Sequence, residues 1–335
     1  MFGKPLRSAR SPWPARALIA AAVAATLTLP AACGGSESAT QEPDGTTTFK
    51  VSNPANVSNV PLHIAMDKGF FKAENLNIKA DIDLGSGSTA EAVVGGQVDM
   101  AWTNSVGGLT LYTKGFDLKL VAVTDMAVTG SQQVLVKKDS PAKTLADLKG
   151  KKMAVLSPNT ICILIVKAAL KAQGLPEDSI QFTPVSPPEH ANVLSSGEVA
   201  ATCTSDPFRA LMIDELGARS VFETSSGELA GYPVGGYIVS EKFAKENAEA
   251  LAGFQRALYK ATQYANANPA AVKEALPKFT TIEPEVAQHV IINRYVEAGD
   301  AQTVQERVQR IADAMHAYGM SDKQMSVDDY FLGSE

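Results

Sequence analysis

KKMAVLSPNTICILIVKAALKAQGLPEDSIQFTPV (151–185) decides the fold. Lys152–Leu156 is a short apolar run, Ile161–Gln173 a longer one closed by Gly174, and Ile180–Pro184 is short again. Short, long, short reads as strand, helix, strand, with the helix carrying the chain back so that the two strands lie parallel. Upstream the same alternation begins at FKVSN (49–53), a strand, followed by a helix from Pro61 to near Gly69 or Asn75. Ile78–Leu84 is the next strand, Thr89–Gly95 a short helix, Val98–Thr103 a strand and Leu109–Gly115 a helix. Leu118–Thr124 and Gln133–Lys137 are strands, and Leu145–Leu148 is a short helical turn. Downstream come a helix at Glu189–Ser196 and a strand at Val199–Thr204, then helices at Lys242–Ala267, Pro284–Ala298 and Thr303–Tyr318. In the last of these Val304, Val308, Ile311, Ala312 and Met315 share one face. Two such sets of alternating elements predict an α/β chain with two lobes, each a mainly parallel sheet flanked by helices.

In open parallel sheets ligands sit beyond the carboxyl ends of the strands. That rule selects Asn53–Val57, Gly85–Thr89, Trp102–Ser105, Ser131–Gln132, Ser157–Thr160, Val185–Pro188 and Thr204–Phe208. The candidate ligand-binding residues are therefore Asn53, Asn56, Ser86, Gly87, Ser88, Thr89, Trp102, Thr103, Asn104, Ser131, Gln132, Asn159, Thr160, Asp206 and Phe208. These segments contain no Lys or Arg, although Arg209 follows Phe208. An anion would have to be held by helix amino termini and by hydroxyls, chiefly Ser86, Ser88, Thr89 and Thr160. GSGST (85–89) either offers backbone N–H groups to a ligand or simply caps the helix that follows. Trp102 and Phe208 would stack on a ring or cover an aliphatic part, while Trp102 at a strand end could equally be core. Asp206 would accept from an amine or ring N–H, or bond within its own lobe.

The sequence has no GxxxxGK[ST], HExxH or GxSxG, and its four histidines are scattered. No catalytic residues, cofactor or metal are expected. Cys162 and Cys203 stand 41 positions apart without a CxxC or Cys/His cluster, so zinc is not expected either. They could pair in an oxidising compartment, but two buried free thiols are the simpler expectation.

The amino terminus has a different character. Residues 1–16 are basic, Ala17–Leu29 is uncharged and apolar, and Pro30-Ala31-Ala32-Cys33 follows. This is the layout of a secretory signal peptide over 1–32, and its apolar run is shorter than the roughly 20 residues of a membrane span. Cys33 looks like a lipobox cysteine, with Pro30 where Leu is usual; it would be lipidated, and 33–48 would be a flexible tether. The first 32 residues hold four of the 30 basic residues and none of the 36 acidic ones. The remainder therefore carries a formal charge of −10, 26 basic against 36 acidic, which argues against nucleic acid as a partner.

Four blocks together resemble one family of bacterial extracytoplasmic solute-binding proteins, the sulfonate, nitrate, taurine and thiamine-precursor group. They are PLHIAMDKGFFKAENLNI (61–78), GSGSTAEAVVGGQVDMAWT (85–103), VLVKKDSPAKTLADLKGKKMAVLSPNT (134–160) and LSSGEVAATCTSDPF (194–208). The second block carries a Gly-Gln-Val-Asp turn ending at Asp99; in the fourth, Ala200 stands where the resemblance leads one to expect Asp. The resemblance implies a type II periplasmic-binding-protein fold with chain crossings near Thr129–Gln133 and Gly231–Gly236. Lobe one would be 49–130 plus 237–335, and lobe two 133–232. It further implies an ABC-importer lipoprotein on the outer side of the cell membrane, anchored at Cys33. Such a protein would close on a small-molecule solute and deliver it to a permease driven by a separate ATPase. Alternatives are a binder of a heteroaromatic thiamine precursor, an enzyme of thiamine-pyrimidine synthesis on the same fold, and a sensor delivering its ligand to a receptor.

Overall fold

The computed structural model describes residues 39–82 and 89–333. The amino-terminal half supplies β1 (Thr40–Gln41), β2 (Thr47–Ser52), α1 (Val60–Asp67), α2 (Phe70–Ala73), β3 (Leu76–Ile82), α3 (Thr89–Val94), β4 (Met100–Asn104), α4 (Ser105–Thr113) and β5 (Leu118–Met126). There follow β6 (Gln132–Val136), β7 (Lys152–Val155), α5 (Ile161–Ala172), β8 (Gln181–Pro184), α6 (His190–Ser196), β9 (Ala201–Ser205), α7 (Phe208–Leu216) and β10 (Arg219–Glu223). The chain ends with β11 (Pro233–Ser240), α8 (Glu241–Glu246), α9 (Ala248–Ala267), α10 (Pro269–Ala275), α11 (Pro284–Gln288), β12 (Arg294–Tyr295) and α12 (Ala301–Ala317).

These strands make two sheets. One runs β1-β2-β4-β11-β5-β12, with β3 also on β2; the other runs β10-β6-β9-β7-β8. β3 and β4 pair parallel to β2, and β8 and β9 parallel to β7. Four antiparallel pairings arise because each sheet admits a strand arriving from the other, β11 between β4 and β5 and β6 between β9 and β10; the short edge strands β1 and β12 also pair antiparallel, with β2 and β5. The order β3-β2-β4-β11-β5 is thus matched by β8-β7-β9-β6-β10. The chain passes between sheets at 127–131 and again at 224–232, the latter earlier than the expected 231–236.

Local packing explains the departures from the sequence reading. Gly235 and Gly236 lie within β11: a Cβ on Gly235 would collide with the Thr103 carbonyl and the Trp102 ring, and one on Gly236 with the Ala122 carbonyl. The helix expected over Pro284–Ala298 stops at Gln288. Val290, Ile291 and Ile292 are β-branched, and tertiary partners take the backbone there: Ile291 N–H donates to Asp206, Tyr295 N–H to Asn266, and Val296 N–H to the Thr124 carbonyl. Lys242–Ala267 is two helices broken at Asn247. α12 buries the apolar face expected of it, including Val304, Val308, Ile311 and Met315.

The expectation of free thiols is corrected: Cys162 and Cys203 form a disulfide, with Cα atoms 6.4 Å apart. The first turn of α5 lies against β9, and both cysteines belong to the apolar cluster of Val134, Met153, Val155 and Val166. Asp99 shows what its turn requires. Its N–H donates to the Lys50 carbonyl at 3.0 Å, and its carboxylate accepts the Lys50 N–H at 2.7 Å. At the equivalent turn Ala200 N–H still donates to the Lys152 carbonyl, at 2.9 Å, without a carboxylate to answer it. Cys33 and the segment 1–32 lie outside the described residues.

Candidate functional site

The carboxyl ends of β2, β4, β7, β8 and β9 converge on a cavity of about 200 Å³. Nine of the expected residues line it: Asn56, Thr89, Trp102, Thr103, Asn104, Gln132, Thr160, Asp206 and Phe208. Asn53 does not. It is buried behind the site, where its Oδ1 accepts from the Tyr237 hydroxyl at 2.7 Å and its Nδ2 lies 3.0 Å from His63 Nε2. Ser131 is buried in the first crossing and donates to the Val128 carbonyl. Asn159 sits in the β7–α5 loop away from the lining. Ser86, Gly87 and Ser88 lie outside the described residues.

The walls are aromatic and aliphatic. Trp102 is fixed by its indole N–H, which donates to Thr124 Oγ1 at 3.0 Å. Phe208, Pro54, Pro187, Pro188, Leu156, Ile161 and Val234 add to the apolar lining, with Ala55 and Cys203. The polar groups are mostly hydroxyls: Thr89, Thr103, Thr160, Ser186, Thr204 and Ser205. Asn104 spends its Oδ1 capping α4, accepting from Gly107 N–H. α5 begins at the cavity behind Thr160, and no side chain caps it, so its first N–H groups and the positive end of its dipole lie beside the lining residues Thr160 and Ile161.

Among the described residues no Lys or Arg lines the cavity, and the stretch 83–88 contains none either. Asp206 is the one carboxylate among the described lining residues, and that carboxylate is occupied. Oδ1 accepts from Ala210 N–H at 3.1 Å; Oδ2 accepts from Arg209 Nε at 3.0 Å and from Ile291 N–H at 2.9 Å. Burial raises its pKa against the opposing pull of Arg209. Asp206 thus bonds within its own lobe, to Arg209 and Ala210, and also beyond it, to Ile291.

The sequence reading missed His190, the first residue of α6, which is buried and lines the cavity. Its Nε2 lies 3.1 Å from the Val185 carbonyl, so Nε2 carries the proton and Nδ1 is an acceptor with no partner. Burial lowers its pKa to about 4, and the ring is neutral at pH 7. Asn56 Oδ1 is a second buried acceptor without a partner on a lining residue. The sequence carried one signal for His190, its place just after the segment Val185–Pro188, but an isolated histidine does not reveal which element will bury it.

Behind the cavity the two crossings are laced together. Gln132 Oε1 accepts from the Tyr232 hydroxyl at 2.8 Å, Thr224 donates to the Gln132 carbonyl at 2.9 Å, and Ala127 N–H donates to the Tyr232 carbonyl at 2.9 Å. Gln132, the first residue of β6, thus joins the lining to the second crossing.

Comparison with known proteins adds lineage to this geometry. A family model described as "NMT1/THI5 like" matches residues 56–272. A protein of Escherichia coli K12 named as an aliphatic sulfonates-binding protein is 27% identical over 164 residues, 49% of this chain and 50% of that protein. The chain therefore matches about half the length of that relative. The 4-amino-5-hydroxymethyl-2-methylpyrimidine phosphate synthase THI13 of Saccharomyces cerevisiae is 22% identical over 262 residues, 74% of each chain. Among solved structures, the alkanesulfonate-binding protein SsuA of Xanthomonas axonopodis, bound to MOPS, superposes with a TM-score of 0.71 at 19% identity. That likeness covers 85% of this chain and 97% of that one. It shows the fold, which is that of the periplasmic binding proteins.

Proposed function

The chain belongs to the NMT1/THI5-like family, and from that premise we propose that it is the extracytoplasmic solute-binding component of an ABC importer. In this reading the two sheets are the cores of two lobes that close on a small organic solute and present it to a permease powered by a separate ATPase. The single observation that carries it is the cavity, lined by strand ends of both sheets and backed by both crossings. The solute class is sulfonate, nitrate or taurine-like. Its polar end meets the uncapped start of α5 and the threonine hydroxyls, and its carbon part lies against Trp102 and Phe208. Likeness to sulfonate-binding proteins supports that class. Cys33 is the proposed lipid anchor holding the protein at the outer face of the membrane; among the described residues no helix is long and apolar enough to cross one.

We read the site as binding without turnover. Its carboxylate is committed to Arg209 and backbone N–H groups, and its histidine is neutral with one nitrogen committed to Val185. A second reading, a heteroaromatic solute of the thiamine-precursor type, is favoured by one observation. His190 Nδ1 and Asn56 Oδ1 are unpartnered acceptors suited to a ring-borne N–H, in a cavity whose described lining residues include no cationic side chain. A thermal-shift panel tests both. Sulfonates, taurine, nitrate and aminopyrimidines are added to protein unfolded and refolded to strip any copurified solute. A ligand at about 100 times its Kd stabilises by roughly 2.7 kcal/mol. A sulfonate hit supports the first class, an aminopyrimidine hit the second, and a flat panel refutes both classes. Recovery of a hit chemically changed would overturn binding without turnover.

A further inference from the structure

α7 belongs to the second sheet by connection but packs on both. Met212 joins the cluster of Leu135, Ala154 and Leu194, whereas Ala210 is buried in the other core with Val286, Ala287 and Val290. Three polar links follow the same line toward the segment that leads from α11 into β12 of the first sheet. Ile291 N–H donates to Asp206 Oδ2 at 2.9 Å, Arg209 Nη2 donates to the His289 carbonyl at 3.2 Å, and His289 Nδ1 lies 2.6 Å from Asp214 Oδ2. Two residues on, Asn293 is tied to the first crossing. Its Oδ1 accepts from Val128 N–H at 3.3 Å and its Nδ2 donates to the buried Asp125 at 2.6 Å. One short segment, 289–293, thus touches α7 at one end and the crossing between sheets at the other.

We infer that α7 and residues 289–293 form a clamp between the two sheets, with Asp206 and Arg209 as positioning residues joining the clamp to the cavity that Asp206 lines. The inference rests on the solute-binding reading for its purpose: the clamp sets how readily the two halves part to admit and release a solute. Asp206 suits the role because its two oxygens face opposite ways in the fold. Oδ1 holds the first turn of α7 through Ala210, and Oδ2 holds Ile291 across the gap. Arg209 neutralises that buried carboxylate and adds its own bond to the far side.

Hydrogen exchange and small-angle scattering on the full-length chain test the clamp without a ligand. In Arg209→Met the amides of 289–293 are expected to exchange at least about tenfold faster, while β7 and β9 keep their protection and the radius of gyration increases. Arg209→Met leaves Asp206 buried without its cation, so the paired variant Asp206→Asn/Arg209→Met, which removes the buried charge as well, is measured beside it. The same local loss with an intact core in either variant supports the clamp. Wild-type protection at 289–293, or an unchanged radius of gyration, overturns it. Loss of protection in β7 and β9 in both variants overturns it too, since the pair would then serve the second sheet rather than the join. None of these outcomes decides solute capture, which stands or falls on the thermal-shift panel.

Discussion

Breaking the Cys162–Cys203 bond should cost the fold about 4 kcal/mol. The bond closes a loop of 41 residues, and the loop-entropy relation for that length gives roughly 13 cal/mol/K removed from the unfolded chain, or about 4 kcal/mol at 25 °C. A chain of this size unfolds with an entropy on the order of 0.6 kcal/mol/K, so the melting temperature should fall by roughly 6 °C. The clean comparison is between oxidised protein and the same protein reduced in denaturant and refolded under reductant. No atom of the core is deleted, and the difference is the cross-link alone. Thermal melting followed by circular dichroism reads the shift. Alkylation before reduction, with peptide mass analysis, confirms that neither cysteine starts free. A difference below about 1 °C would refute the argument, as would alkylation of Cys162 or Cys203 without reductant. Because Cys203 lines the cavity and Cys162 sits in the first turn of α5, the reduced protein should also bind its solute more weakly.

Two further outcomes follow from burial and close packing. His63 and His190 have pKa values lowered by burial to about 4, so the unfolded chain binds protons more readily between pH 4 and 6.5, and each histidine adds stability as pH rises through that window. Asp125, raised by burial to about 6, works the other way, contributing stability at low pH that is lost as pH rises toward 6. Asp206, also raised by burial, opposes the histidines as Asp125 does, so the test is a difference: between pH 4.5 and 6 the stability of Asp125→Asn should rise more steeply with pH in urea titrations than that of the wild type, and identical profiles would contradict the Asp125 shift. Gly235→Ala should cost about 1–3 kcal/mol, because the added methyl meets the Thr103 carbonyl and the Trp102 ring, and solute binding should weaken with it. Wild-type melting and binding in that variant would show that β11 can give way.

The parts of this fold that were legible in the sequence are those governed by local pattern. The strand–helix–strand run of 151–185 and the apolar face of 304–315 depend on spacing within one element, and the structure keeps both. β11 was not legible, because Gly235 and Gly236 look like a turn until Thr103, Trp102 and Ala122 are seen pressing on them from neighbouring strands. The end of α11 was hidden for a related reason: Ile291 gives its N–H to Asp206, 85 residues away. Within the candidate site, strand ends were readable from topology, and Trp102, Thr103, Thr160 and Phe208 do line the cavity. Which polar atoms remain available was not, since it depends on partners such as Tyr237 for Asn53 and Arg209 for Asp206.

Arg209 decides what electrostatics remain for a solute. It is the cation nearest the lining segments in sequence, but it is buried, paired with Asp206 and bonded to the His289 carbonyl, so it has no charge to spare. An anionic head group is left with the neutral lining hydroxyls and the amino terminus of α5, the latter worth about 0.3–1 kcal/mol when exposed and up to about 2 kcal/mol when partly buried. The larger share of affinity must then come from carbon laid against Trp102, Phe208 and the three lining prolines, at about 0.8 kcal/mol for each methylene buried. Along methane-, propane- and pentanesulfonate, calorimetry should therefore find Kd falling about fourfold per added methylene until the cavity of about 200 Å³ is filled. Nitrate, with no carbon, should bind weakest. Nitrate as tight as pentanesulfonate would mean that a charge absent from the described lining does the holding, and the reading of Arg209 as fully committed would be wrong.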